Sequence, residues 1–155
     1  MALVVNDDGW PDDLAPLAEE AIATATAVAG IKLVGAAEVS VVLANDGEQR
    51  RLNRQWRGKD SATNVLSFPQ IEPFAAVRGL LGDIVLARET VEREALEEGK
   101  ALRDHVAHLI VHGFLHLIGY DHEGEDEAIR MESLETRILA RLGIADPYAD
   151  PAGDD

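Results

Sequence analysis

Three of the chain's five histidines fall in one short stretch, VHGFLHLIGYDH at residues 111–122, where an apolar run would otherwise only pack a core. His112 and His116 are four residues apart, so on a helix they share a face, and His108 lies one turn earlier on the same face. A helix rises ~1.5 Å per residue, which separates His108 from His116 by about 12 Å along the axis. Zinc–nitrogen bonds are only about 2.0–2.1 Å long, so one ion cannot take all three; it can take an adjacent pair. Gly119, three residues after His116, is free to adopt a positive φ and end the helix. The chain can then turn and bring His122 back beside His112 and His116, whereas the pair His108 and His112 has no such return nearby. The predicted metal ligands are therefore His112, His116 and His122. Three neutral imidazoles leave a fourth tetrahedral position open, the mark of a catalytic rather than a structural zinc, and lower the pKa of a bound water toward about 7. His105 and His108 are expected on the helix surface or supporting the ligands, and Asp121 to orient a ligand imidazole or cap the turn.

The spacing His112-x3-His116-x5-His122, with Gly119 between, is also that of the metzincin peptidases. In HExxH enzymes the residue after the first histidine is a glutamate that serves as general base. Here it is Gly113, and the helical neighbours Phe114, Leu115 and Leu117 are apolar. A peptidase would lack its proton carrier. Phosphodiester cleavage by metal-activated attack depends less on such a base but needs positive charge for the phosphate. Residues 49–59, QRRLNRQWRGK, hold five of the fourteen basic residues and no acid. On a helix Arg50, Arg54 and Arg57 recur at i, i+4 and i+7 and share a face, while Leu52 and Trp56 fall opposite and are expected to be buried. Arginine's planar fork suits phosphate. Arg57, at the end of this helix and just before the strand TNVLSF, is the best placed to reach a cleft, and with His116 it forms the predicted catalytic pair.

The elements that must position these residues are legible along the chain. ALVV near the start reads as a strand, and residues 12–29 as an alanine-rich helix ended by Gly30. Residues 36–44, 62–69 and 81–87 read as strands, with a loop at 70–79. Asn45 and Glu48 form a capping box that opens a helix over 46–56. Helices are predicted over 88–99, 101–118 and 125–142. Strands and helices mix without strict alternation. The expected fold is α+β, a small mixed sheet of about four strands packed with about five helices, the metal site lying at the end of a buried helix.

A chain of 155 residues, 46% hydrophobic, suits one domain with one core. We assign residues 1–143 to it and 144–155 to an acidic, loose tail. There is no cysteine, so thiolate metal sites and disulfides are excluded. The first residues, MALVVNDDGWPDD, lack the pattern of a signal peptide. No apolar run approaches the ~20 residues that span a bilayer. These features predict a cytoplasmic protein with no membrane partner. The net charge of −15 argues against nucleic-acid binding over the whole surface and confines any polyanion contact to the basic strip.

The ordered set LNRQWRGKDSATNVLSFP, LGDIVLA and HLIVHGFLHLIGYDH, followed by MESLE and DPY, resembles the bacterial YbeY-type rRNA maturation factors over residues 36–148. The resemblance implies a single-strand-specific endoribonuclease with one zinc ion, acting in 16S rRNA 3′-end maturation and late ribosome quality control. Its partners would be single-stranded rRNA, the small ribosomal subunit and assembly factors. It places the family's three metal ligands on His112, His116 and His122 and its functional arginine on Arg57. Where that family often has aspartate after the threonine of the strand motif, this chain has Asn64. Two rival functions come from other classes: a metallopeptidase, supported by spacing alone, and a ribosome-assembly adaptor in which the metal only staples the fold.

Overall fold

The computed structural model describes residues 1–6, 9–121 and 123–148. In chain order the elements are β1 (Ala2–Asn6), α1 (Leu14–Val28), β2 (Leu33–Ala44), α2 (Asp46–Arg57), β3 (Val65–Pro69), β4 (Val77–Ala87), α3 (Arg88–Glu97), α4 (Leu102–Ile118) and α5 (Glu125–Arg141). The four strands form one mixed sheet in the order β1-β2-β4-β3, with β1, β2 and β4 parallel and β3 antiparallel at the edge. The architecture is the α+β fold expected from the sequence. Among the described residues, no helix is long and apolar enough to cross a membrane.

Strand alternation divides the sheet into two unlike faces. Val39, Val41 and Leu43 of β2 with Ile84 and Leu86 of β4 face the main core, against α1, α4 and α5. Ala44, Leu66 and Val85 face the other way, where Leu52 of α2 and Phe68 only partly cover them. α4 crosses the core face with Val106, Ile110, Phe114 and Leu117 fully enclosed; His108, His112 and His116 stand at the margin of that buried stripe, while His105 is itself buried, at 3% exposure.

Element boundaries differ from the sequence expectation in the sheet more than in the helices. β4 starts at Val77, inside the predicted loop, because the parallel ladder with β2 extends to Leu33 opposite Val77. β3 starts at Val65 rather than residue 62. The Thr63 amide donates to the Gln49 side chain, and the Asn64 side chain accepts from the Val65 amide, so local side-chain bonds replace ladder bonds there.

Candidate metal centre

α4 ends at Gly119, whose φ of 123° is open to glycine and costly for other residues. The Tyr120 amide closes the helix end by donating to the Leu115 carbonyl at 3.0 Å. A side chain at 119 would also strike Phe74, whose backbone nitrogen lies 2.9 Å from where a Cβ would sit. This turn aims the Tyr120 carbonyl back at the helix, where it accepts from His116 Nδ1 at 2.9 Å. His122, the predicted third ligand, lies outside the described residues.

The protonation of the other two imidazoles follows from their partners. A carbonyl only accepts, so His116 Nδ1 carries the proton and Nε2 the lone pair. His112 Nδ1 lies 2.9 Å from Glu135 Oε1, and His108 Nε2 lies 3.0 Å from the same oxygen. Burial raises the Glu135 carboxyl, but the hydrogen bonds from His108 and His112 outweigh it and hold the pKa down to about 2. Glu135 is therefore an acceptor at neutral pH, and His112 Nδ1 donates to it. Tyr148 Oη donates to its other oxygen at 2.9 Å, and burial with the Glu135 charge raises the Tyr148 phenol well above its usual range. Both Nε2 lone pairs then face each other, 3.1 Å apart. Two converging lone pairs at that distance repel unless a proton or a cation lies between them. Imidazoles whose far nitrogens are held by a carboxylate and a backbone carbonyl have the usual arrangement of metal-binding histidines, and this donor set suits zinc.

The sequence reading assigned no role to Glu135. It sits within MESLE on α5, between Met131 and Ile138, and is wholly buried. A lone carboxylate on the apolar stripe of an amphipathic helix is a sequence signal that it has a buried partner.

Arg57 comes to the same cleft because of what α2 buries. Gln49 and Asn53 form its inward face. Gln49 donates to the Val85 carbonyl and accepts from the Thr63 amide, while Asn53 donates to the Ser61 carbonyl. One more turn along that stripe stands Arg57. A cleft of about 780 Å³ is lined by Arg57 and Lys59 together with His112, His116, Tyr120 and Asp121. Arg50 and Arg54 instead line a separate depression with Asp60, to which Arg50 is paired at 2.7 Å. The expectation that Leu52 and Trp56 would be buried is corrected: Leu52 is half-buried and Trp56 is 68% exposed. The buried amides Gln49 and Asn53 satisfy backbone groups that no apolar side chain could, and this turns the Leu52–Trp56 edge toward the margin of the sheet.

The place of the peptidase glutamate is taken by the sheet. A Cβ on Gly113 would lie 2.9 Å from Ile84 Cγ2 and 3.1 Å from Ser67 Oγ. Ser67 Oγ donates to the Gly113 carbonyl at 3.0 Å, which ties the ligand-bearing helix to the edge strand. Gly113 is a close-contact residue, and a carboxylate there would point into β3 and β4 rather than into the cleft.

A second cluster that could hold a metal ion joins Glu94, Glu98 and His105, with ligand atoms within 4.8 Å of one another. Its oxygens already accept from nearby donors. Glu94 Oε1 takes His105 Nε2 and Asn64 Nδ2, and Glu98 Oε1 takes Lys100 Nζ at 2.8 Å. An ion bound through those two oxygens would have to displace these protons. Asn64 can donate to Glu94, which an ionised aspartate at that position could not do.

The family described as Endoribonuclease YbeY matches residues 7–143. The chain belongs to this YbeY family. A protein named Endoribonuclease YbeY from Methylocella silvestris is 54% identical over 151 residues, covering 96% of this chain and 85% of that one. Another of that name, from Allorhizobium ampelinum, is 52% identical, covering 95% and 93%. A third, from Agrobacterium fabrum, is 62% identical over 114 residues, covering 72% and 68%. The solution structure of a Thermotoga maritima protein shares the fold, with a TM-score of 0.60 at 24% identity over 97% of this chain and all of that one.

Proposed function

We propose that the chain is a zinc-dependent, single-strand-specific endoribonuclease of the cytoplasm. Its task would be 16S rRNA 3′-end maturation and ribosome quality control, with the small ribosomal subunit and assembly factors as partners. The observation that carries the reading is the convergence of Arg57 and Lys59 with His112 and His116 on one cleft. The names of the relatives support the reaction class, and the motif resemblance supports the ribosomal setting.

In this reading His112, His116 and His122 hold the ion, with Glu135 and the Tyr120 carbonyl fixing two of the rings. When bound, zinc supplies Lewis acidity toward a phosphoryl oxygen and a water acidified toward a pKa of about 7. Arg57 grips the scissile phosphate through its fork and steadies the charge that grows on it in the transition state. Lys59 adds a point charge farther along the backbone.

The test is to incubate zinc-loaded protein with a single-stranded RNA, with a duplex of the same sequence and with an unstructured protein, with His116→Ala alongside. Cleavage of the single strand only, lost in His116→Ala, is the expected result. Cleavage of the protein supports a metallopeptidase, and metal binding without either activity supports an assembly adaptor.

A further inference from the structure

On the far face of edge strand β3 from the metal cleft lies a groove of about 640 Å³, roofed by Leu52 and Trp56 of α2 and floored by Val42, Phe68 and Val85 of the sheet. The two cavities meet: Arg57, Ser67 and Pro69 line both. We propose that this groove is a base-binding subsite, in which one unpaired nucleobase bearing an exocyclic amino group stacks beneath Trp56 while Arg57 holds the adjoining phosphate. The proposal rests on the endoribonuclease reading above and names the substrate feature that such an enzyme would recognise.

Four features of the groove select a base as its occupant. First, it is apolar between two aromatic side chains, Trp56 and Phe68, and aromatic faces on an open sheet are a recurrent platform for single-stranded bases. Second, Trp56 is 68% exposed and lines the groove, whereas the chain's other tryptophan, Trp10, is 2% exposed and donates its indole N–H to the Ala44 carbonyl at 2.9 Å. Third, the only cation among the lining residues is Arg57, at the mouth shared with the cleft, and the groove contains the carboxylate of Asp83. A phosphate would be repelled there, but an amino group would be welcomed. Fourth, the Asp83 carboxylate and the Gln70 amide are polar groups lining an otherwise mainly apolar slot, the pattern that orients a flat ligand by its edge. A carboxylate accepts from the exocyclic amino group of adenine, cytosine or guanine, whereas uracil has no amino group and offers only its single ring N3–H. A base held in this way must be unpaired and unstacked, so the subsite would also exclude duplex RNA.

Trp56 is its own reporter, since Trp10 is sealed in the core and gives a constant background. The full-length zinc-loaded protein is titrated with single-stranded 2′-O-methyl oligoadenylate and oligouridylate, following both tryptophan emission and the anisotropy of a dye on the oligonucleotide. Trp56 emission is expected to be quenched as oligoadenylate binds, with oligoadenylate bound several-fold more tightly than oligouridylate. Trp56→Ala should weaken oligoadenylate binding roughly tenfold, the scale of one lost base stack, while Trp56→Phe keeps most of it. Asp83→Asn should narrow the gap between the two oligonucleotides. Saturable anisotropy with unchanged emission, or wild-type affinity in Trp56→Ala, overturns the subsite while leaving the nuclease reading intact if RNA is still cut. Absence of both oligonucleotide binding and RNA cleavage overturns the two together.

Discussion

His112 and His116 face each other through Nε2 atoms 3.1 Å apart, while their Nδ1 atoms are engaged by Glu135 and the Tyr120 carbonyl. That arrangement suits a cation held between the rings. Purified His112→Ala, His116→Ala and His122→Ala should each lose bound zinc, whereas His108→Ala should keep it, because His108 spends its Nε2 on Glu135 and stands a turn away. Elemental analysis of the four variants checks this. Full occupancy in His122→Ala removes the three-histidine site, and zinc retained by all four directs attention to Glu94, Glu98 and His105.

Glu135 fixes the tautomer of His112 from the rear. Glu135→Gln keeps the shape but exchanges a two-oxygen acceptor for an amide that must turn an N–H toward one of its donors. Zinc affinity should fall roughly 10–100-fold, the usual scale for loss of such a support. Competition against a chromophoric chelator measures it, and an unchanged affinity would mean that packing alone orients His112.

Much of this was legible in the sequence, and what was not legible has a physical cause. The spacing of His112 and His116 and the glycine after them are local features, and the periodicity of α4 and α5 is strong, so both could be read directly. Trp56 was misjudged because amphipathic reasoning takes apolar residues to be the buried ones. α2 instead buries Gln49 and Asn53, whose value lies in backbone groups of Ser61, Thr63 and Val85 that are distant in sequence or in irregular chain. The longer β4 was missed for a similar reason, since its first residues pair across a parallel ladder with Leu33. Glu135 was quoted within a motif but given no task, because its partners lie on another helix.

Gly119 turns the chain at a φ of 123° with Phe74 close above it. Gly119→Val places a β-branched side chain in that conformation and against the Phe74 backbone. Strain of about 1–3 kcal/mol is expected, lowering the melting temperature by roughly 2–10 °C. Since the Tyr120 carbonyl moves with the turn, zinc affinity should fall as well. A variant that melts and binds zinc like the parent would show that the turn is not what holds the site.

Gly113→Glu restores the letters of a peptidase motif without its geometry. The new side chain starts 2.9 Å from Ile84 and 3.1 Å from Ser67. Overpacking on the order of 1–3 kcal/mol is expected even for its Cβ, and more for a buried carboxylate without a partner. The variant should be less stable by denaturant titration and should gain no cleavage of an unstructured protein. Peptidase activity in it would revive the metallopeptidase reading.

Arg57 separates function from scaffold. It continues the α2 stripe of Gln49 and Asn53 and, unlike those two buried amides, is exposed where it lines the cleft that holds His112 and His116. Arg57→Lys keeps the charge and loses the fork. A charge-assisted hydrogen bond is worth about 1.5–3 kcal/mol, so RNA cleavage should slow by roughly 10–100-fold while zinc content and melting temperature persist. Arg57→Glu repels the phosphate as well and should cost more, on the order of 10²–10³ in rate. Arg54 lies in the depression away from the histidines. Arg54→Ala should therefore flatten the salt dependence of RNA affinity by about one phosphate contact while leaving cleavage at saturation nearly unchanged. Arg50 is already engaged by Asp60 and should contribute less. Cleavage rates and affinities across a salt series distinguish these outcomes. If Arg57→Glu cuts RNA at the parental rate, phosphate recognition belongs to another cation of the cleft, and Lys59→Ala is the variant that should then lose activity.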